Sequence, residues 1–126
     1  MKFQPDSLAG TNTVSRHERG EVWVNGTRWC HSVLVPWRGD VRPWPLDTLA
    51  ALTAGHFEQL LALKPELVIF GSGERLQFVS PAHYRCLIEV RIGIETMDTP
   101  AACRTFNVLA SEGRSVVAAL LVPSTV

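Results

Sequence analysis

Three short apolar runs with helix signals between them constrain this chain more than any other feature. Leu67-Val68-Ile69-Phe70 is continuous and apolar, the pattern of a strand buried on both faces. Ile94 to Met97 is a second short strand, and Ser115 to Val122 is a third, which Pro123 ends. Between the first two, Ser80-Pro81 reads as a helix cap and first helical residue. That helix is expected to run to about Arg91, with Tyr84, Leu87, Ile88 and the stem of Arg91 inward and Gly93 as its stop. Thr99-Pro100 repeats the cap-plus-proline device; Ala102, Phe106 and Leu109 form the inner stripe, and Gly113 closes the helix. Parallel strands need crossover connections, so a β-α-β-α-β order predicts a parallel set. The expected class is α/β, with α+β as the alternative.

The N-terminal half adds antiparallel structure. Residues 1–12 are polar and aperiodic and read as a loose arm. The β pattern begins at Val14, and Asn25-Gly26 between β-rich runs predicts a type I′ hairpin, because both residues tolerate positive φ. The second arm is expected to run from Thr27 to Val35. Arg38 to Pro45 is too rich in Pro and Gly for regular structure, and Trp37 and Trp44 flank this loop. Leu46 to Leu63 is expected to be helical at least in its second half, with Thr53 as N-cap and Lys64-Pro65 as its end. Residues 74–79 read as a polar bridge. With 126 residues the chain is expected to be one domain, 1–126, large enough to fold without disulfide or metal.

Twelve basic residues balance twelve acidic ones, which argues against a nucleic-acid partner. Ten of the basic residues are Arg, a bias that fits either bidentate anion recognition or plain genome composition, and the second reading is preferred. Cys30, Cys86 and Cys103 have no paired spacing and fit free thiols in a reducing compartment. The opening Met1-Lys2-Phe3-Gln4-Pro5-Asp6 lacks a signal-peptide pattern, and the apolar run Val116 to Val122 is too short to span a bilayer. The expectation is a cytoplasmic protein with no membrane span and no cofactor.

If the parallel strands align, Gly71-Ser72-Gly73 lies beside the helix start at Asp98-Thr99, beyond the C-terminal strand ends where α/β ligands bind. Glycines allow close approach and the helix N-terminus favours an anion, with Ser72, Thr99, Arg104 and Asn107 as a rim. The plainer alternative is that these residues only make tight turns, and it is preferred. The corner lacks a dinucleotide fingerprint and a P-loop Lys. Cys103, one turn into the helix, is either a low-pKa thiol or a small buried side chain; Ala102 and Phe106 favour burial. Arg104 is an anion ligand or an ion-pair partner of Asp98 or Glu95, and Asn107 a ligand contact or a tie to a loop carbonyl. His83, Cys86 and Glu89 share a helix at three-residue spacing, which fits a solvated face better than a metal site. Ser72 lacks the nucleophile-elbow motif and a nearby base.

The stretches Pro65 to Gly73 and Gly93 to Leu109, with Glu112 to Leu121, resemble the family that includes the mitochondrial complex I assembly factor 3 and an adipogenesis-associated protein. The family's turn is usually Gly-Thr-Gly; here Gly71-Ser72-Gly73 keeps the hydroxyl and loses a methyl. The resemblance implies a compact domain with a mixed central sheet and helices packed on it. It implies no enzyme, and it points to work through partners. The expected function is a non-catalytic protein-binding or assembly module that docks a partner or another copy of itself, with Trp23, Trp29 and Trp44 as contact surfaces. The rival is a small-ligand or anion-binding protein, or an enzyme, built on the glycine corner.

Overall fold

Alternate residues of the last strand point into two different cores. Val116, Ala118 and Leu120 join Ile69, Phe106 and Ala102 on one side; Val117, Ala119 and Leu121 join Val68, Phe70 and Leu87 on the other. A strand with period-two side chains and cores on both faces must be apolar throughout, which explains the continuous runs. The computed structural model describes residues 10–123.

The chain runs β1 (Val14–Glu18), β2 (Glu21–Val24), β3 (Thr27–Trp29), β4 (Val33–Pro36), β5 (Arg42–Pro43), α1 (Ala54–Glu58), β6 (Leu67–Gly71), α2 (Pro81–Glu89), β7 (Gly93–Met97), α3 (Thr99–Ser111) and β8 (Val116–Leu120). Strands β1, β2 and β3 form an antiparallel sheet, and the second sheet has the order β5-β4-β8-β6-β7. Within it β6 pairs in parallel with both β7 and β8, while β4 pairs antiparallel with β8. The β-α-β-α-β half is therefore parallel, as the sequence pattern predicts. The hairpin turn also forms at Asn25-Gly26, with φ of 53° and 85°.

The small sheet and α3 cover one face of the large sheet, with Val14, Val22 and Val24 in the same core as Phe106. The other face is covered by α1, α2 and the segment bearing Trp44 and Leu46. Several elements differ from the sequence reading. The expected arm Thr27 to Val35 splits between two sheets. Ser32 is the reason: its hydroxyl donates to Leu46 O at 2.6 Å and accepts from Val122 N–H at 2.9 Å, drawing the chain into the large sheet. Leu46 to Leu63 is not one helix but the short α1 between two 3₁₀ turns, Leu49–Ala51 and Leu61–Leu63. Thr53 does cap α1, reciprocally with His56, and Lys64 ends the segment in the left-handed region at φ 50°.

Helix α2 stops at Glu89, and the reversal falls on Arg91 at φ 62°, not on Gly93. Gly93 instead opens β7, where a Cβ would stand 3.1 Å from Leu67 Cδ1. Ile88, expected inward, is 53% exposed. Of the expected loose arm, residues 1–9 lie outside the described residues. Asn12 is buried and tied down, donating to Pro36 O at 2.7 Å and Gly39 O at 2.9 Å.

Candidate functional site

Strands β6 and β8 end together, and the chain leaving β6 meets the start of α3. Ser72 N–H donates to Met97 O at 2.8 Å, and Thr99 N–H donates to Gly73 O at 2.7 Å. Gly73 N–H returns a bond to Thr99 Oγ1 at 2.9 Å, and the Thr99 hydroxyl donates to Leu121 O at 2.9 Å. The turn and the helix start are neighbours, as the parallel order requires, but they are bonded to each other. Gly71 makes this approach possible: a Cβ there would stand 2.9 Å from Thr99 Oγ1 and 3.0 Å from Thr99 Cα. The cap of α3 is Asp98, whose Oδ1 accepts from Ala101 N–H at 2.8 Å; Thr99, expected to be the cap, is the first helical residue. Thr99 is free for its tertiary bonds because the carboxylate before it does the capping.

The other candidate residues are dispersed. Cys103 is buried in the core shared with Phe106, and that burial pushes its thiol up to about 12, with Arg104 pulling weakly the other way. Arg104 is exposed and forms no ion pair among the described residues. Asn107 joins two layers: its Oδ1 accepts from Val14 N–H at 2.8 Å and its Nδ2 donates to Val14 O at 2.9 Å. The amide thus imitates a neighbouring strand and fixes β1 on α3. Among the described residues no group of three His, Cys, Asp or Glu is placed to hold a metal ion.

The tryptophans also separate. Trp44, expected at a contact surface, is 1% exposed and packs edge-on against Phe70 and at a tilt against Phe57, with Nε1 donating to His56 O at 3.1 Å. The Pro-rich loop it flanks tucks the indole inward to fill the second core. Trp23 is half-buried, with the Arg16 guanidinium 4.5 Å from its ring centroid. Trp29 is half-buried against the first core and meets His31 edge-on at 5.5 Å.

Two features lie in segments that the sequence reading passed over. Ser72, 2% exposed, donates through Oγ to Arg75 O at 2.9 Å and accepts from Gln77 N–H at 2.9 Å. Its hydroxyl therefore fixes the loop after β6. That loop is not a polar bridge, because it holds Phe78 75% exposed and Leu76 49% exposed. The signal was present as Leu76-x-Phe78 just ahead of the Ser80-Pro81 cap. The second feature is an open depression of about 670 Å³ at the strand ends, lined by Ser72, Gly73, Arg75, Gln77, Leu121 and Arg19 among others. Arg19-Gly20 forms the β1–β2 turn, and Gly20 has φ 78°. Of the expected corner, Ser72 and Gly73 face this space, whereas Thr99 is sealed behind them.

Solved structures share this fold. A crystal structure of a Bordetella parapertussis protein matches with a TM-score of 0.85 at 38% identity, covering 90% of this chain and 97% of that one. The solution structure of a Bordetella pertussis protein, described as an Mth938-like domain, matches with a TM-score of 0.83 at 32% identity, covering 98% and 94%. The fold class is thus the Mth938-like α/β domain. The chain belongs to the DUF498/DUF598 family, described as proteins of unknown function, whose pattern matches residues 14–121. It is also 37% identical over 124 residues to bovine NADH dehydrogenase [ubiquinone] 1 alpha subcomplex assembly factor 3, covering 96% of this chain. The chain spans under two thirds of the length of the mammalian relatives it matches, 66% of the bovine protein and 44% of the mouse one. No helix among the described residues is long and apolar enough to cross a membrane.

Proposed function

We propose that this protein is a non-catalytic docking module that presents the Leu76–Phe78 loop to a protein partner. The observation that carries the reading is Phe78, 75% exposed on a loop whose backbone Ser72 holds with two hydrogen bonds. An exposed aromatic on a fixed backbone loses little entropy on binding, and burying it contributes about 2 kcal/mol. The assembly-factor name of the bovine relative supports a protein partner. Neither nucleophile candidate is available for chemistry: the Ser72 hydroxyl makes two half-buried bonds, and burial pushes the Cys103 thiol up to about 12. Three free cysteines, one of them exposed, support action in a reducing compartment such as the cytoplasm.

The test compares wild type with Phe78→Asp by affinity capture from native lysate, with sedimentation at high concentration to detect self-association. A central aromatic anchor is worth about 2 kcal/mol or more, so the variant should lose its partner about 30-fold. Equal recovery by both proteins defeats the proposal. So does the absence of any partner together with monomeric behaviour.

A further inference from the structure

The geometry points to a binding site for a small organic oxyanion, a carboxylate or phosphate monoester with an apolar body, in the depression at the strand ends. It goes beyond the docking role and does not rest on it. The depression holds about 670 Å³, within the size range of small-molecule sites, and lies beyond the C-terminal ends of the parallel strands. Its walls come from separate parts of the chain. Arg19 enters from the β1–β2 turn, Arg75 from the loop after β6, and Thr48 from the segment ahead of the first 3₁₀ turn. Leu49, Leu121 and Pro123 supply apolar lining.

The two arginines and Thr48 are uncommitted among the described residues, and this separates them from the sealed corner beside them. Among the described residues neither Arg19 nor Arg75 forms an ion pair, and Thr48 makes no side-chain bond to the turn it precedes. The acid on the rim, Glu74, stands 4.0 Å from His17 Nε2. Two arginines against one glutamate leave the rim with an excess positive charge. Arginine forks pair bidentately with carboxylate and phosphate oxygens. Apolar lining adds affinity in proportion to the ligand surface it removes from water. Together they select an anion that carries a hydrophobic body over a bare inorganic ion. Gly73, at φ 111° on this rim, turns the backbone so that no side chain fills the space.

The experiment is a two-dimensional amide NMR titration of the full chain with sodium benzoate, phenyl phosphate and inorganic phosphate. Saturable shifts are expected for Gly20, Gly73, Glu74 and Gln77 with one or both aromatic anions, and the arm that saturates first identifies the head group. Arg19→Gln and Arg75→Gln should each weaken that probe about tenfold or more, as loss of a charge-assisted bond does. Lys64→Gln, an exposed cation in a different depression, should leave it unchanged. The proposal is overturned if neither aromatic anion gives saturable shifts at these amides. It is equally overturned if inorganic phosphate binds as well as both, or if the arginine variants bind like wild type. All three replacements are at exposed positions, and the amide spectra verify that each variant remains folded.

Discussion

Replacing Thr99 with valine should destabilise this protein more than replacing it with serine, although valine preserves the shape. Thr99 is 2% exposed. Its Oγ1 accepts from Gly73 N–H and donates to Leu121 O, both at 2.9 Å and both buried. Valine keeps the packing and removes the hydroxyl. A buried N–H then has no partner, at a cost of about 1–3 kcal/mol, and a carbonyl loses its donor at a cost of about 1 kcal/mol. The sum is about 2–4 kcal/mol. Serine keeps both bonds and removes one methyl, which costs about 1 kcal/mol including the small cavity. Helix propensity does not decide the order, since threonine, serine and valine differ by only a few tenths of a kcal/mol at an ordinary helix position. Urea denaturation of the three proteins measures the effect, with an unchanged slope as the check that only the midpoint moves. Amide exchange adds a local readout: Gly73 should lose protection in the valine variant ahead of the β6 amides. If valine costs less than serine, or less than about 1 kcal/mol in itself, the corner is held by packing and the hydrogen-bond account of it fails.

The same corner predicts that Gly71→Ala costs about 2–3 kcal/mol, because the new Cβ would meet Thr99 backbone at 3.0 Å; Gly55→Ala, with only a 3.5 Å contact to Thr53, should be neutral or stabilising by about 0.5 kcal/mol. Denaturant midpoints of the two variants check the contrast, and equal effects would remove the steric argument. At pH 8 a thiol reagent should label exposed Cys30 long before Cys103, whose thiol is pushed up to about 12 from an ordinary 9.0. The sign for stability follows: the unfolded thiol deprotonates first, so the stabilisation is complete below pH about 9 and is lost as pH rises toward 12, a slope that Cys103→Ala should abolish in alkaline denaturation. Labelling of Cys103 as fast as Cys30 would contradict its burial.

What was legible in the sequence depended on the range of the interaction that fixes each element. Local rules sufficed for the Asn25-Gly26 turn, for the Thr53 cap and for the apolar strands of the parallel half, since each is decided within a few residues. Other features are set by partners far along the chain, and these the local pattern does not show. Ser32 ends the expected hairpin arm by bonding Val122, 90 residues away. Asn107 reaches Val14, 93 residues away. Nothing in the local spacing marks either side chain as a tie between layers. Trp44 has the composition of a surface loop around it, and only the second core explains why the indole turns in.

The candidate corner shows the same division and gives it functional meaning. The sequence correctly placed Gly71, Ser72 and Gly73 beside Asp98 and Thr99, because parallel pairing of β6, β7 and β8 leaves no other arrangement. It did not reveal whether the polar atoms there would face one another or face solvent. They face one another, and the reason is steric. A glycine at position 71 lets the helix approach so closely that Thr99 bonds across the gap, which closes the corner and turns Ser72 toward its own loop. The consequence is a displacement of the open polar surface by a few residues. On the open side, Arg75 and, across the depression, Arg19 form no ion pair among the described residues. The glycine-rich turn therefore acts on function indirectly: it holds the loop that carries Arg75 on one side and Phe78 on the other. Ser72→Ala is where this argument is most exposed. Removing the hydroxyl frees both Arg75 O and Gln77 N–H, so the loop should lose order and both surfaces should weaken together. If the variant loses neither benzoate nor phenyl phosphate binding nor partner capture, the turn does not hold the loop, and the link from the glycine motif to either surface is gone.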